Sequence, residues 1–245
     1  MKLKGNTIVI TGGSSGIGLE LSKVLTEREN QVIICGRSSE KLERAKQMVS
    51  SLHIFRCDLS QALERTKFSE WVEKNYPQCN ILINNAAMVH KANFFSDSEI
   101  VAKAELETQT NFIAPVALTK QFFPLLKKNE NPKIIYITTG LVYAPKAAYP
   151  IYCATKAALH SFIQTLRMQA TEQPIDFHEV LMPAVDTPFH NGNPPKLAIS
   201  TQKAVEEMLN KLEKGAKEIK VGGVKILHPL SRVAPNFAIK KVNSL

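Results

Sequence analysis

Short apolar runs alternate along the chain with longer segments in which apolar residues recur at helical spacing. Such runs, when they end in turn residues, predict buried strands, and the segments between them predict helices. This alternation indicates an α/β fold in which a parallel sheet is covered by helices on both faces. Strands are predicted at residues 7–10, 31–35, 53–56, 81–83, 134–138, 175–181 and 218–221. The clearest helices are predicted at residues 100–126, 151–169 and 201–214.

The length of 245 residues, with 44% hydrophobic and 22% charged residues, is typical of one globular domain. We expect a doubly wound domain over residues 1–223 and a basic amphipathic tail over residues 224–245. No signal peptide or membrane span is evident, so we expect a cytoplasmic protein. The four cysteines are scattered without metal-ligand spacing, which predicts buried free thiols and no metal site.

The net charge of +9 is concentrated toward the C-terminus, where nine Lys and Arg stand against four Glu from Thr201 onward. Nucleic acid, an anionic membrane surface and an acidic substrate are the partners that such a charge allows. Nucleic-acid binding has little support because interleaved aromatic residues and a known module are absent. The tail is therefore predicted to be a solvated face, to pack on another subunit, or to contact a membrane peripherally.

The first predicted strand runs into a glycine-rich turn and then into helical spacing. This is the strand, turn and helix of a Rossmann-type fold, in which glycines let the backbone approach a pyrophosphate and the helix N-terminus stabilises its charge. The spacing differs from the G-x-G-x-x-G fingerprint. The predicted cofactor-binding residues of this turn are Gly12, Ser14, Ser15, Gly16, Ile17 and Gly18.

The second and third predicted strands end in residues that indicate which dinucleotide is bound. Arg37 follows the second strand, where NAD-binding folds carry an acidic residue for the ribose hydroxyl. An arginine there can pair with a 2′-phosphate, so NADP is the predicted cofactor. Asp58 follows the third strand and is predicted either to accept from the adenine amine or to cap the helix that starts near Gln61.

Three further segments are predicted to border the cofactor. Asn85 and Ala86 follow the fourth strand and allow close approach of the backbone. Asn111 lies within the predicted helix 100–126, where it could hold a water or kink the helix. A Pro-, Gly- and Asn-rich loop at residues 183–197 is predicted to be a substrate lid, with simple disorder as the alternative, and its Val185 and Thr187 to contact the cofactor.

The candidate chemistry lies between residues 133 and 156. Tyr152 and Lys156 are four residues apart in a predicted helix, so both side chains lie on one face. A nearby ammonium lowers the pKa of a phenol, which would let Tyr152 exchange protons with an alcohol or ketone. Thr139, at the end of the fifth strand, would orient the same substrate oxygen.

Together these residues resemble the short-chain dehydrogenase/reductase family over residues 4–221. The matching segments are Thr11-Gly12-x-x-x-Gly16-x-Gly18, Asn84-Asn85-Ala86-Ala87, Asn111 and Tyr152-x-x-x-Lys156. The resemblance implies that Tyr152 is the acid/base, that Lys156 lowers its pKa and binds the nicotinamide ribose, that Asn111 helps hold a relay water, and that Thr139 takes the place of a serine.

The resemblance also implies a homodimer or homotetramer and an NADP-dependent oxidoreductase that acts on a small-molecule carbonyl or secondary alcohol. Segments at residues 32–38, 152–162 and 231–235 are similar to DltE-type members, which are associated with D-alanylation of lipoteichoic acid in Gram-positive bacteria. Thr139, Ala87 and Ala184 depart from the family pattern. The alternative function is therefore a low-turnover NADP-binding accessory protein in that D-alanylation.

Overall fold

The computed structural model describes residues 3–190 and 195–244, and in these residues seven strands form one sheet. The strands are β1 (Thr7–Thr11), β2 (Gln31–Gly36), β3 (His53–Arg56), β4 (Ile81–Asn84), β5 (Lys133–Thr139), β6 (Asp176–Met182) and β7 (Glu218–Lys220). They pair in parallel in the order β3-β2-β1-β4-β5-β6-β7. The prediction of a single doubly wound parallel sheet is confirmed.

Helices cover both faces of the sheet. They are α1 (Gly16–Glu27), α2 (Ser39–Met48), α3 (Ala62–Asn75), α4 (Ile100–Thr108), α5 (Ala114–Leu126), α6 (Pro150–Gln169), α7 (Thr201–Glu213), α8 (Val224–Val233) and α9 (Pro235–Asn243). Side chains of α1, α2 and α7 form one apolar core with one face of the sheet, and those of α3, α5 and α6 form a second core with the other face. Because strand side chains alternate, Ile8 lies in the first core and Val9 in the second.

The predicted helix 100–126 is interrupted. A π-helical turn at Gln109–Ile113 separates α4 from α5. Pro115 lies in the first turn of α5 and has no N–H to donate to the carbonyl of Asn111, which removes one bond of the α-helical pattern. The turn places Asn111 inside the protein, fully buried.

The segment predicted as the tail folds into α8 and α9. Val224, at the start of α8, packs against Gly140, the residue that follows β5, so closely that a β-carbon on Gly140 would lie 2.8 Å from a Val224 methyl group. Asn243 at the end of α9 accepts from the Ala147 amide and donates to the Pro145 carbonyl. Both helices are therefore attached to the segment between β5 and α6.

The four cysteines are buried free thiols, as predicted. In residues 3–190 and 195–244, no group of three or more His, Cys, Asp or Glu side chains is arranged to hold a metal ion. No helix in these residues is long and apolar enough to cross a membrane.

Candidate active site

Tyr152, Lys156 and Thr139 lie together at the carboxyl end of the sheet. Tyr152 and Lys156 are one turn apart on α6, and both are buried, with 9% and 2% of their surface exposed. Thr139 ends β5, and its hydroxyl is hydrogen bonded to the Tyr152 side chain. The Thr139 hydroxyl also accepts from the Leu141 amide at 3.2 Å, which fixes its direction.

The Lys156 ammonium lies over the Tyr152 ring. Its Nζ donates to the Ile137 carbonyl at 2.9 Å and is 6.0 Å from the centre of the Tyr152 ring. Burial lowers the pKa of Lys156 to about 8, and the negative charge of Glu179 acts in the opposite direction. Lys156 therefore loses its charge at a pH only slightly above neutral.

The phenol of Tyr152 is held in its protonated form. Burial raises the pKa of Tyr152 well above its usual value, and the hydrogen bond with Thr139 lowers it by less. The sequence predicts a pKa lowered by Lys156. This prediction is wrong for the structure, in which burial raises the pKa of Tyr152 because removing the phenolate from water is costly.

Asn111 is hydrogen bonded to the loop between β4 and α4. Its Oδ1 accepts from the Met88 amide at 2.9 Å, and its Nδ2 donates to the Met88 carbonyl at 2.9 Å and to the Thr155 hydroxyl at 3.2 Å. Asn111 therefore connects the loop to the α6 helix that carries Tyr152. The π-helical turn at Gln109–Ile113 interrupts the helix at Asn111, and the role of Asn111 in holding a water stays a prediction.

The glycine turn packs tightly against the end of β4. Gly12 has a φ of 66°, and a β-carbon on Gly18 would overlap the Gly12 carbonyl oxygen, so both positions require glycine. Asn85 Nδ2 donates to the Thr11 carbonyl at 2.9 Å, and the Asn85 and Ala86 amides donate to the Thr11 hydroxyl at 3.0 Å. Asn85 thus shapes the turn.

The N-terminus of α1 is open to an anion. Ser15 is its N-cap residue with extended backbone, and its side chain makes no capping hydrogen bond. The first turn, which includes Ile17 and Gly18, contains no acidic residue. Amides at this end of a helix lack partners within the helix, so the turn fits a pyrophosphate.

Arg37 lies beside this turn at the end of β2. Its side chain is exposed, and in the described part of the chain it makes no ion pair. The neighbouring Gly36 faces the Ser14 hydroxyl, which a β-carbon on Gly36 would approach to 3.3 Å. Arg37 and Ser14 therefore lie on the same edge of the glycine turn, which is a place for a phosphate.

Asp58 lies at the end of β3, but it does not cap α3. Its carboxylate accepts from the amide and hydroxyl of Ser60 at 3.0 and 2.8 Å, and Gln61 is the N-cap residue. Glu64 accepts from the Asp58 amide at 2.7 Å instead. The capping alternative is therefore wrong, and adenine contact stays a prediction.

The loop after β6 lies across both halves of the site. Val185 is buried and pairs with Ile199, and the Thr187 side chain lies against Gly16 of the glycine turn. The Phe189 ring contacts the Tyr152 ring edge to face, with centres 5.7 Å apart. The rest of the predicted lid includes residues 191–194, which lie outside the described residues.

Two buried glutamates near the site were not predicted. Glu107 accepts from the His90 amide at 2.8 Å and lies 2.9 Å from His90 Nδ1, and its charge also acts on Tyr152. Glu179 lies in β6 beneath α6. The position of Glu179 directly before the apolar run Val180–Met182 was the available signal for Glu179, and the spacing of four residues from Asn111 was the signal for Glu107.

The short chain dehydrogenase family profile matches residues 6–198, and the chain belongs to that family. An uncharacterized oxidoreductase DltE of Bacillus subtilis is 39% identical over all of this chain and 99% of its own length. A fatty acyl-CoA reductase of Acinetobacter baylyi is 30% identical over 76% of this chain and 65% of its own.

Solved structures show the same fold. A short chain dehydrogenase from Burkholderia cenocepacia, in complex with NADP, has a TM-score of 0.86 and 22% identity, with 98% of each chain covered. Another from Burkholderia phymatum, in complex with NAD, has a TM-score of 0.86 and 14% identity, with 99% of this chain and 97% of that chain covered. These two proteins bind different dinucleotides.

Proposed function

We propose that this short-chain dehydrogenase is an NADP-dependent oxidoreductase that reduces a carbonyl group or oxidises the corresponding secondary alcohol. The observation that carries the proposal is the joined cluster of Thr139, Tyr152 and Lys156, which lies at the same edge of the sheet as the glycine turn. When bound, the dinucleotide supplies or accepts the hydride.

The chain's own groups would hold that dinucleotide. The open amides at the start of α1 bind the pyrophosphate, and the packing of Gly12 and Gly18 leaves no side chain in the way. Arg37 would pair with the 2′-phosphate, Asp58 would accept from the adenine amine, and Val185 and Thr187 would border the nicotinamide half. Lys156, whose Nζ lies over the Tyr152 ring, would donate to the nicotinamide ribose.

The proton chemistry follows from the raised pKa of Tyr152. A phenol that stays protonated at neutral pH is suited to donate its proton to a carbonyl oxygen that is being reduced. The Thr139 hydroxyl orients the same oxygen and is itself oriented by the Leu141 amide. We therefore propose that Tyr152 is the proton donor when a carbonyl is reduced.

An apolar substrate is the best starting assumption. Phe94, Phe95 and Val101 are exposed near the start of α4. With Ile151, the neighbour of Tyr152, Phe94 and Val101 line a groove of about 350 Å³. The relative from Acinetobacter baylyi is named for an acyl substrate. The substrate panel should therefore include long-chain aldehydes and ketones beside small polar ones.

The test is NADPH oxidation, followed by absorbance, over that panel. We expect Tyr152→Phe to abolish turnover, because the proton donor is lost, and to leave NADPH binding nearly intact. Thr139→Ala should reduce the rate on the order of a hundredfold or more, since one oriented donor is lost. Thr139→Ser, which keeps the hydroxyl, should match or exceed the wild type.

Fluorescence titration with NADPH is the control that separates lost chemistry from lost cofactor binding. A Tyr152→Phe variant as active as the wild type would eliminate the mechanism. Unchanged turnover in Thr139→Ala would remove Thr139 from the site.

The second candidate function is a low-turnover accessory protein that binds NADP and works in D-alanylation of lipoteichoic acid. The exposed apolar and basic side chains of α8 and α9 favour a contact with another surface. NADPH binding without turnover over the whole panel would favour this candidate.

A further inference from the structure

A carboxylate is buried in β6, directly beneath the helix that carries Tyr152 and Lys156. Glu179 has no exposed surface. Its Oε1 accepts from the Thr138 hydroxyl at 2.6 Å, and His160 Nδ1 lies 2.9 Å from both carboxylate oxygens. A buried charge is costly unless it is paired, so a glutamate at this place needs an explanation beyond packing.

The pairing points toward Lys156. His160 is one helical turn after Lys156 on α6, so the two side chains leave the same face of the helix. Thr138, which donates to Glu179, follows Ile137, whose carbonyl accepts from Lys156. The Glu179 charge favours the charged form of Lys156, in opposition to burial.

We propose that Glu179 is a positioning residue whose negative charge keeps Lys156 in its ammonium form in the active site. The inference deepens the proposed function, because the Lys156 ammonium is the group that binds the nicotinamide ribose and faces the Tyr152 ring.

The other titratable groups near Lys156 are arranged in two sets. On one side, Tyr143 stacks edge to face on His160 and His228 and donates to Glu218, whose carboxylate also binds Lys220. On the other side, Glu107 pairs with His90 and acts on Tyr152. Among these groups, Glu179 is the one whose charge acts on Lys156.

The test is Glu179→Gln, which removes the charge and keeps atoms that can bond to Thr138 and His160. NADPH affinity is measured by fluorescence titration from pH 6 to pH 10, in wild type and variant. We expect the pH midpoint above which affinity falls to move down by about one unit or more in the variant, because losing the opposite charge that acts on a buried ammonium lowers its pKa by about that much.

A second measurement needs no cofactor. The folded Lys156 has a pKa of about 8, and an unfolded lysine has a pKa of about 10.4. As pH rises, the folded state therefore loses the Lys156 proton before the unfolded state does. Between these two pKa values, the Lys156 contribution to the free energy of unfolding rises with pH. The stability deficit of Glu179→Gln should be largest below the wild-type pKa and shrink as pH rises through about 8.

The alternative is that Glu179 only packs and bonds locally. That role predicts a stability deficit that does not change with pH and an unshifted midpoint for NADPH, and this result would overturn the proposal. Thr138→Val is the matched control, since it removes one hydrogen bond and keeps the Glu179 charge, and its midpoint should stay at the wild-type value.

If Glu179→Gln does not fold, a pair of variants at His160 makes the same test. His160 is partly exposed, so a lysine there can reach solvent while its charge offsets that of Glu179. His160→Lys should lower the midpoint as Glu179→Gln does, whereas the neutral His160→Gln should not. Equal midpoints in these two variants would overturn the proposal.

These outcomes are separate from those of the proposed function. A shifted midpoint together with full activity of Tyr152→Phe would reject the mechanism and keep the inference. An unshifted midpoint together with an inactive Tyr152→Phe variant would reject the inference and keep the mechanism.

Discussion

Polar side chains at the ends of strands give this site its chemistry. Thr139 ends β5 and holds Tyr152, and Arg37 follows β2 beside the glycine turn. Asn84 ends β4 and is buried, and within residues 3–190 and 195–244 neither its side-chain nitrogen nor its side-chain oxygen has a hydrogen-bond partner.

At the residue scale, we expect NADPH to bind more tightly than NADH by about ten- to more than a hundredfold, because one charge-assisted contact of Arg37 with the 2′-phosphate is worth roughly 1.5 to 3 kcal/mol. Fluorescence titration of both cofactors should show Arg37→Ala losing affinity for NADPH and keeping it for NADH. Arg44→Ala, a surface arginine paired with Glu40, is the control. Equal affinities in the wild type would refute the assignment.

The elements around the site are coupled by close packing. The short helical turn at Gly140–Val142 follows Thr139 directly, and α8 packs on it through Val224 and Leu227. The Thr139 hydroxyl accepts from the amide of this same turn. Any shift of α8 would therefore move the backbone that orients the candidate catalytic hydroxyl.

At the element scale, Gly140→Ala tests this coupling. The added β-carbon would lie 2.8 Å from a Val224 methyl group, so α8 or the turn must move. We expect a loss of about 1 to 3 kcal/mol in stability, measured as a lower Tm. Gly223→Ala, whose β-carbon would meet nothing within 4 Å, should leave the Tm nearly unchanged. Equal Tm values for the two variants would contradict the packing described.

The whole molecule carries its positive charge unevenly. No acidic residue follows Glu218, whereas five basic residues do. Ile226, Val233 and Phe237 on α8 and α9 are exposed, with 71%, 87% and 59% of their surface accessible. We propose that this surface contacts an anionic membrane, and that the protein is a homodimer or homotetramer.

At the scale of the molecule, sedimentation with vesicles that contain phosphatidylglycerol tests the membrane contact. We expect binding at low salt that weakens as salt is added, since each lysine near an anionic surface contributes about 1 kcal/mol. Lys240→Glu with Lys241→Glu should reduce binding, and Lys127→Glu with Lys128→Glu should not. Protein that stays in the supernatant at low salt would reject the membrane contact and leave α8 and α9 as a subunit interface or a solvated surface.

The sequence by itself determined the features that depend on neighbours along the chain. Apolar runs located the strands, the glycine spacing located the turn, and the four-residue spacing placed Tyr152 and Lys156 on one face of α6. These features could be predicted because helix and strand periodicity and glycine sterics act over a few residues.

Tertiary structure alone decided the electrostatics and the long-range contacts. Burial raised the pKa of Tyr152, Glu179 lies beneath α6 although it is more than twenty residues after Lys156, and Asn111 binds Met88. Pairings of this kind depend on which distant segments share a desolvated space. Neither the loss of water around a charge nor the partner that replaces it is encoded in local spacing.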